Sequence, residues 1–261
     1  VDTVLANGVP RYVTLQAPEF RVDAEAIRSV ITDRTRAIFV NTPHNPTGRV
    51  FDRSELQVIA EICIEFDLIA ISDEVYEHMV YVGEHISLAT LPGMWERTVT
   101  CSSLGKTFSL TGWKIGWAIA PVHLTDALRA AHQFVTYAIS TPLQYGAATA
   151  LAADDDYFDG LLSAYRERRD LLVAGLNEIG FGLLEPQGSY FVYADHTPFG
   201  FSDDVAFVQH LITEVGVAAI PPSAFYQHPA DGADFVRFSF CKDLATLEQA
   251  LERLAALTRR V

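Results

Sequence analysis

Three short runs constrain the fold more than any other feature of this chain: RAIFVN from Arg36 to Asn41, LIAIS from Leu68 to Ser72 and TVTCSS from Thr98 to Ser103. They are rich in β-branched residues and stop at polar, Gly- or Pro-bearing loops, which is how strands buried on both faces read. A helix separates the first two. Asp52 and Glu55 have the spacing of a cap and its reciprocal partner, and Leu56, Ile59, Cys63 and Phe66 recur at helical period. KIGWAIA, from Lys114 to Ala120, is a fourth predicted strand. Strand, helix, strand in this order implies an α/β fold, a mostly parallel sheet sandwiched by helices.

The texture changes after the middle of the chain. From Phe158, apolar residues at Leu161, Leu162, Tyr165, Leu172, Leu176 and Ile179 predict one long helix. SYFVYAD, GVAAIP and FVRFSF then read as strands, with a helix from Asp203 to Val215 among them. A last helix from Leu244 aligns Leu247, Leu251, Leu254 and Leu257. Residues 1–153 are therefore expected to form a large domain, and 154–261 a hinge helix with a smaller α/β domain. The chain opens on Val1 in what reads as the middle of a longer protein, so an N-terminal segment is expected to be missing from the large domain.

With 19 basic against 33 acidic residues, the formal charge of −14 disfavours nucleic acid and anionic membrane as partners. No apolar run approaches the roughly 20 residues that span a bilayer. Nor does the N-terminus show a basic stretch followed by an apolar one. Cys63, Cys101 and Cys241 are odd in number and widely spaced, so they are expected to be buried, reduced thiols in a cytoplasmic protein. The eight histidines show no metal-ligand spacing, and His44 and His78 are read as loop and packing residues.

In open α/β sheets ligands gather at the carboxyl ends of the strands. Asn45 follows the first predicted strand, Asp73 the second, Ser103 and Lys106 the third, and Lys114 opens the fourth. Each alone is a weak signal, since Asp at a strand end is usually a cap and NPTG usually a turn. The lysines are less ordinary. The chain has sixteen arginines and three lysines, and two of the three stand eight residues apart in SSLGKTFSLTGWKIGW.

NTPHNPTG, SDEVY and SSLGKTFSLTGWKIGW, in this order, resemble the pyridoxal-phosphate enzymes of the aspartate-aminotransferase fold. GSYFVYAD, GVAAIPPSAFY and VRFSFCK extend the likeness over essentially the whole chain. They narrow it to the branch of kynurenine, glutamine, methionine and succinyl-diaminopimelate aminotransferases. The resemblance implies pyridoxal 5′-phosphate as cofactor and amino-group transfer from an L-amino acid to a 2-oxo acid. By the same likeness Lys106 forms the Schiff base and shuttles the proton, chemistry for which lysine's slender, pKa-shiftable amine suits and arginine does not. Asp73 would keep the pyridine nitrogen protonated. Tyr76 and Asn45 would hydrogen-bond the cofactor's 3′-oxygen, and Ser103 and Lys114 would take its phosphate. Arg237 would clamp the substrate α-carboxylate with help from Asn45; its plainer alternative is a structural ion pair. Tyr137 either reaches a partner's site in a homodimer or packs in the core. β-Elimination from cysteine conjugates and a non-catalytic fragment retaining the fold stay open as alternatives.

Overall fold

A computed structural model describes residues 2–257. After a short helix α1 (Asp2–Leu5) and helix α2 (Ala24–Val30), three strands run parallel: β1 (Ala37–Asn41), β2 (Ile69–Asp73) and β3 (Thr98–Ser103). Helix α3 (Arg53–Glu65) crosses between the first two. Its start is the predicted capping box: the Asp52 carboxylate accepts the Glu55 N–H while Glu55 reaches back to the Asp52 N–H. Leu56, Ile59, Ile62 and Cys63 pack against Val40, Leu68 and Ala70 of the sheet. Phe66, expected on that apolar face, instead closes the helix as its C-cap and stands exposed.

The fourth strand, β4 (Gly116–Ile119), is shorter than expected and antiparallel, because a short helix α4 (Leu104–Thr107) and one further turn bring the chain straight back along β3. The order is β1-β2-β3-β4. Burial on both faces holds only in part. Val40, Ala70 and Ser72 are buried, but the opposite face leaves Phe39 exposed. Helices α5 (Val122–Val135) and α6 (Thr141–Leu151) follow, and α5 buries none of its residues.

Helix α7 (Asp155–Ile179) starts slightly before the predicted point, where Asp154 caps the Tyr157 N–H, and ends at Gly180 in the left-handed region. It leads into a separate antiparallel sheet, β5 (Gly182–Leu184), β6 (Phe191–Asp195) and β7 (Phe235–Ser239), in that order. β5 has no counterpart among the predicted strands. GVAAIP is not a strand: only Ile220 pairs, through both backbone bonds to Arg237, before Pro221 and Pro222 remove the next two donors. The helix read as Asp203 to Val215 is α8 (Asp204–His210) continued by a wider turn, Leu211–Val215. Helix α9 (Leu244–Leu254) packs on α7, and Gly175 makes this possible, since a Cβ there would lie 2.5 Å from Leu251. Leu257 falls beyond the helix.

Two contacts lock the second sheet onto the strand ends of the first. The Gly48 carbonyl accepts the N–H groups of both Gln187 and Gly188, each at 2.8 Å. Tyr81 N–H donates to Gln187 and Ser189 N–H to Met79, at 2.7 and 2.9 Å. Gly188 has no room for a side chain, with Pro43, Val50 and the Met79 carbonyl all within 3 Å of where a Cβ would lie. Tyr76, Met79 and Tyr81 consequently belong to the same hydrophobic cluster as Phe191, Val192 and Phe238.

The thiols divide. Cys63 is buried, which pushes its pKa up to about 11, and Cys101 is half-buried. Cys241 is exposed, against expectation, because the chain has left β7 for the turn that leads to the Asp243 cap of α9. Among the described residues no helix is long and apolar enough to cross a membrane.

A buried ion pair braces the loop after β1. Arg49 donates to both carboxylate oxygens of Glu55 at 2.8 and 2.9 Å, and also to the Phe20 carbonyl. Burial alone would raise the Glu55 pKa. Arg49 and the N–H groups of Val22 and Asp52 outweigh it and hold that pKa below its ordinary value. Glu55→Ala leaves a buried guanidinium without its anion and is expected to lower the unfolding free energy by about 3–5 kcal/mol in urea. Arg49→Met combined with Glu55→Leu should cost less than that single change; an equal or larger cost would remove the ion pair from this role.

Candidate active site

The strand register places Asn41, Asp73 and Cys101 side by side at the carboxyl end of the first sheet. Asn41 clips two segments there. Its Nδ2 donates to the Asp73 carbonyl at 3.0 Å, and its Oδ1 accepts the Asn45 N–H at 2.8 Å. The TPHNPTG loop closes on itself beyond this point: His44 N–H donates to the Arg49 carbonyl, Gly48 N–H to the His44 carbonyl, and His44 Nδ1 sits 2.7 Å from Thr47 Oγ1. Asn45 is left at the exposed tip. Its Oδ1 accepts from Arg237 of β7 at 2.6 Å.

Arg237 makes no ion pair among the described residues, and its Nε is buried without a partner. The guanidinium lies over the Phe191 ring at 4.2 Å and the Phe225 ring at 5.0 Å. Burial lowers its pKa, while Tyr76 and Tyr190 act in the other direction.

Asp73 ends β2 open to solvent, with the Val75 N–H on its Oδ1 at 3.2 Å. Desolvation by the strand ends raises its pKa; that N–H and the Lys106 ammonium oppose the rise. The turn after it is held from beneath by Glu74, which is buried and accepts from Ser72, Ser87, His85 and the Leu88 N–H. Glu77 takes the Ser102 hydroxyl at 2.8 Å. Those bonds account for the acidic cluster of Glu74, Glu77 and His85 as packing that fixes the turn.

Tyr76 emerges from that turn almost fully buried, edge-on to Tyr190 at 5.2 Å and to Phe191 at 5.9 Å. Burial, reinforced by Tyr190, raises its pKa well above the ordinary phenol value. Lys106, on α4, places its Nζ 5.8 Å from the Tyr76 ring centre and 5.6 Å from that of Tyr190. Like Arg237, it has no carboxylate in ion-pair reach among the described residues.

Ser103 caps α4 by accepting the Gly105 N–H at 3.2 Å. Lys114 is exposed in the left-handed region, two residues before Gly116, which pairs with Ser103 across β3 and β4. Asn45 is bonded to Arg237, Lys106 lies over the Tyr76 ring, and Asp73 and Arg237 act electrostatically on Lys106 and Tyr76 respectively, with Ser103 and Lys114 on the last strand pair. Tyr137, at 80% exposure, is not a core residue. His78 packs on Phe158, and His44 stacks on Phe51 within its loop. Sequence reasoning missed Asn41, Tyr190, Phe191 and Phe225. In the sequence Asn41 only ends a strand, Tyr190 and Phe191 only continue one, and Phe225 only belongs to a motif.

Residues 2–254 match the family model for aminotransferase class I and II, and the chain belongs to that family. A curated Mycobacterium tuberculosis protein named "Probable N-succinyldiaminopimelate aminotransferase DapC" is 46% identical over 250 residues, 92% of this chain and 63% of its own. Human kynurenine–oxoglutarate transaminase 3 is 42% identical over 281 residues, covering 97% and 62%. A solved Escherichia coli structure, described as identifying a methionine aminotransferase function, superposes with a TM-score of 0.92 at 38% identity, covering 97% of this chain and 66% of that one. The fold is that of the aspartate aminotransferases, a Thermus thermophilus member superposing with a TM-score of 0.87 at 35% identity over 98% of this chain and 65% of that one. The chain spans somewhat less than two thirds of the length of the curated relatives named here.

The His44 loop makes a prediction of its own. Burial, with Arg49 nearby, lowers the His44 pKa to about 4 from its ordinary 6.5. The unfolded chain therefore takes up this proton first as pH falls, so the stability His44 contributes is complete above about 6.5 and is lost toward pH 4. The imidazole resonances of His44 should stay those of the neutral ring from pH 8 to 5, and His44→Asn should flatten the acid limb of stability. A mid-range titration of this ring would show that the loop is open.

Proposed function

We propose that this chain carries the centre of a pyridoxal-phosphate aminotransferase that moves an amino group from an L-amino acid to a 2-oxo acid. The observation that carries it is a pair of cations of different chemistry, the Lys106 amine and the Arg237 guanidinium, which flank the same two tyrosines without any carboxylate partner among the described residues. Asp73 balances part of the charge of Lys106, and a guanidinium left without an anion at a strand-end site favours an anionic ligand.

The donor set fits the cofactor the family implies. Lys106 offers the amine for its aldehyde and Asp73 the carboxylate for its ring nitrogen. Tyr76 and Asn45 stand ready for the 3′-oxygen, and Ser103 and Lys114 for the phosphate. When bound, the cofactor supplies the carbonyl that receives the amino group and the electron sink that lets the substrate α-carbon give up its proton. The remaining work falls to the chain. Arg237 binds the α-carboxylate through paired N–H donors, with Asn45 fixing one end of the guanidinium. Lys106 Nζ, as the free amine, would take the proton from the substrate α-carbon and hold it for return once the electrons have shifted away from that carbon. The rings of Tyr76 and Tyr190 stand beside that amine, their centres 5.8 and 5.6 Å from it. Asp73 would offer its carboxylate to the ring nitrogen and keep it protonated, and that positive charge would bring the raised Asp73 pKa back down.

We further place the boundary between the two units after Ala153, a homodimer as the working form and the cytoplasm as its location. The run of exposed apolar residues at Phe134, Val135 and Tyr137 supports the dimer, and Tyr137 is the residue proposed to reach the partner's site. Donors to try first are those the relatives are named for.

Borohydride reduction of the full chain loaded with pyridoxal phosphate should fix the cofactor on the peptide containing Lys106. Lys106→Ala should abolish that adduct and lower transamination by at least about a thousandfold. An adduct of unchanged yield in the variant would take the role away from Lys106. Pyruvate and ammonia in place of a new amino acid would identify β-elimination.

A further inference from the structure

Phe225 is a half-exposed aromatic, at 48%, that belongs to none of the hydrophobic clusters. Its contact is with Arg237, whose guanidinium lies 5.0 Å from the ring centre. The segment that carries it is built to be stiff. Ile220 is paired to Arg237 by both backbone bonds, and Pro221 and Pro222 follow at once. Ser223 N–H then donates to the buried Asp204 carboxylate at 2.7 Å. Tyr226 returns to the sheet with its hydroxyl 3.1 Å from that of Tyr193, and Tyr193 is the residue opposite Arg237 in the β6–β7 pair. Gly232 leaves room for the Tyr226 ring, since a Cβ there would lie 2.7 Å from it. Residues 220–226 thus leave one neighbour of Arg237, cross above it and land on the other.

With Phe191 at 4.2 Å and Phe225 at 5.0 Å, the guanidinium has two aromatic ring contacts. All its N–H donors lie in its plane, and Nη1 is already committed to Asn45 at 2.6 Å. Ring contacts of this kind leave the in-plane edge as the route for an anion, and a planar carboxylate matches that edge with two parallel bonds.

We propose that Phe225 is a positioning residue for carboxylate recognition, holding Arg237 so that it offers one in-plane edge to the α-carboxylate of both amino acid and 2-oxo acid. This rests on the reading of Arg237 as the partner of that carboxylate. The aromatic face is what matters, because the attraction between ring and cation fixes the guanidinium plane in a way that aliphatic bulk does not.

The test uses the full chain loaded with pyridoxal phosphate and 3-phenylpropanoate, a carboxylate with no amino group to transfer, titrated by calorimetry. Phe225→Ala and Phe225→Leu should each weaken binding by about tenfold, and Phe225→Tyr should stay within about threefold of the parent. In turnover, the KM values for amino acid and oxo acid should rise together in the Ala and Leu variants, while kcat moves far less. Should the Ala variant fail to fold, the Leu and Tyr pair carries the comparison. Parent-like binding by Phe225→Leu, or no binding of the probe by the parent, overturns the proposal. A parent that binds the probe but transfers no amino group sinks the aminotransferase reading and leaves the Phe225 comparison to be decided by binding. Transamination with binding indifferent to residue 225 sinks this inference alone.

Discussion

The carbonyl of Gly48 accepts two backbone N–H groups from Gln187 and Gly188, and this small clip sets where the second sheet stands relative to the first. Gly48 lies in the loop that follows β1 and presents Asn45. Gly188 lies three residues before Phe191, on the strand that pairs with Arg237. A displacement of the clip by one residue would part Arg237 from Asn45, since their bond spans 192 positions and has only 2.6 Å to work with. The tightness is steric as well as polar. Pro43, Val50 and Met79 crowd Gly188 so closely that no side chain fits. Two sheets of different topology are thereby held as the walls of one site.

The arginines show how charge is assigned. Arg21, Arg28, Arg49, Arg97 and Arg169 each stand within ion-pair distance of a carboxylate. Arg49 and Arg237 are the instructive contrast, because both lose much of their hydration. Arg49 recovers it through a two-pronged bond to Glu55 and through the Phe20 carbonyl. Arg237 recovers a single bond to a neutral amide and contacts with two rings. Removing a cation from water without an anion costs several kcal/mol in general. The proposed carboxylate ligand would supply the anion that Arg237 lacks.

Local signals made much of this legible in the sequence. The Asp52 and Glu55 spacing, the apolar runs that became β1 to β3 and the period of α7 all act over a few residues, and the structure reproduces them. Failures came where the deciding partner is distant. GVAAIP looks like a strand by composition, yet only Ile220 finds a ladder partner, and Pro221 and Pro222 end it. Cys241 reads as a core thiol among apolar neighbours, but the strand has already ended there. Asn41 acts through both ends of its amide on residues of two different segments, which no spacing reveals. Of the candidate residues suggested by resemblance, Asn45 meets Arg237 and Lys106 meets Tyr76. What holds them together is the part that stayed hidden.

That hidden part centres on two consecutive residues. Tyr190 lies under the Lys106 amine at 5.6 Å, Phe191 under the Arg237 guanidinium at 4.2 Å, and both meet the ring of Tyr76 edge-on. Aromatic rings are rigid and well packed, so this plate sets the separation between the amine and the guanidinium more firmly than two long, flexible side chains could on their own. For the proposed proton transfer at the carbon next to a carboxylate, that separation is the quantity that matters, because the proposed anchor, Arg237, and the proposed base, Lys106, must serve neighbouring atoms of one substrate. The plate in turn follows directly after Gly188 and Ser189, whose N–H groups are bonded to Gly48 and Met79. Reach between amine and guanidinium is therefore inherited from the backbone clip, through a dipeptide whose sequence neighbours only suggest a buried strand.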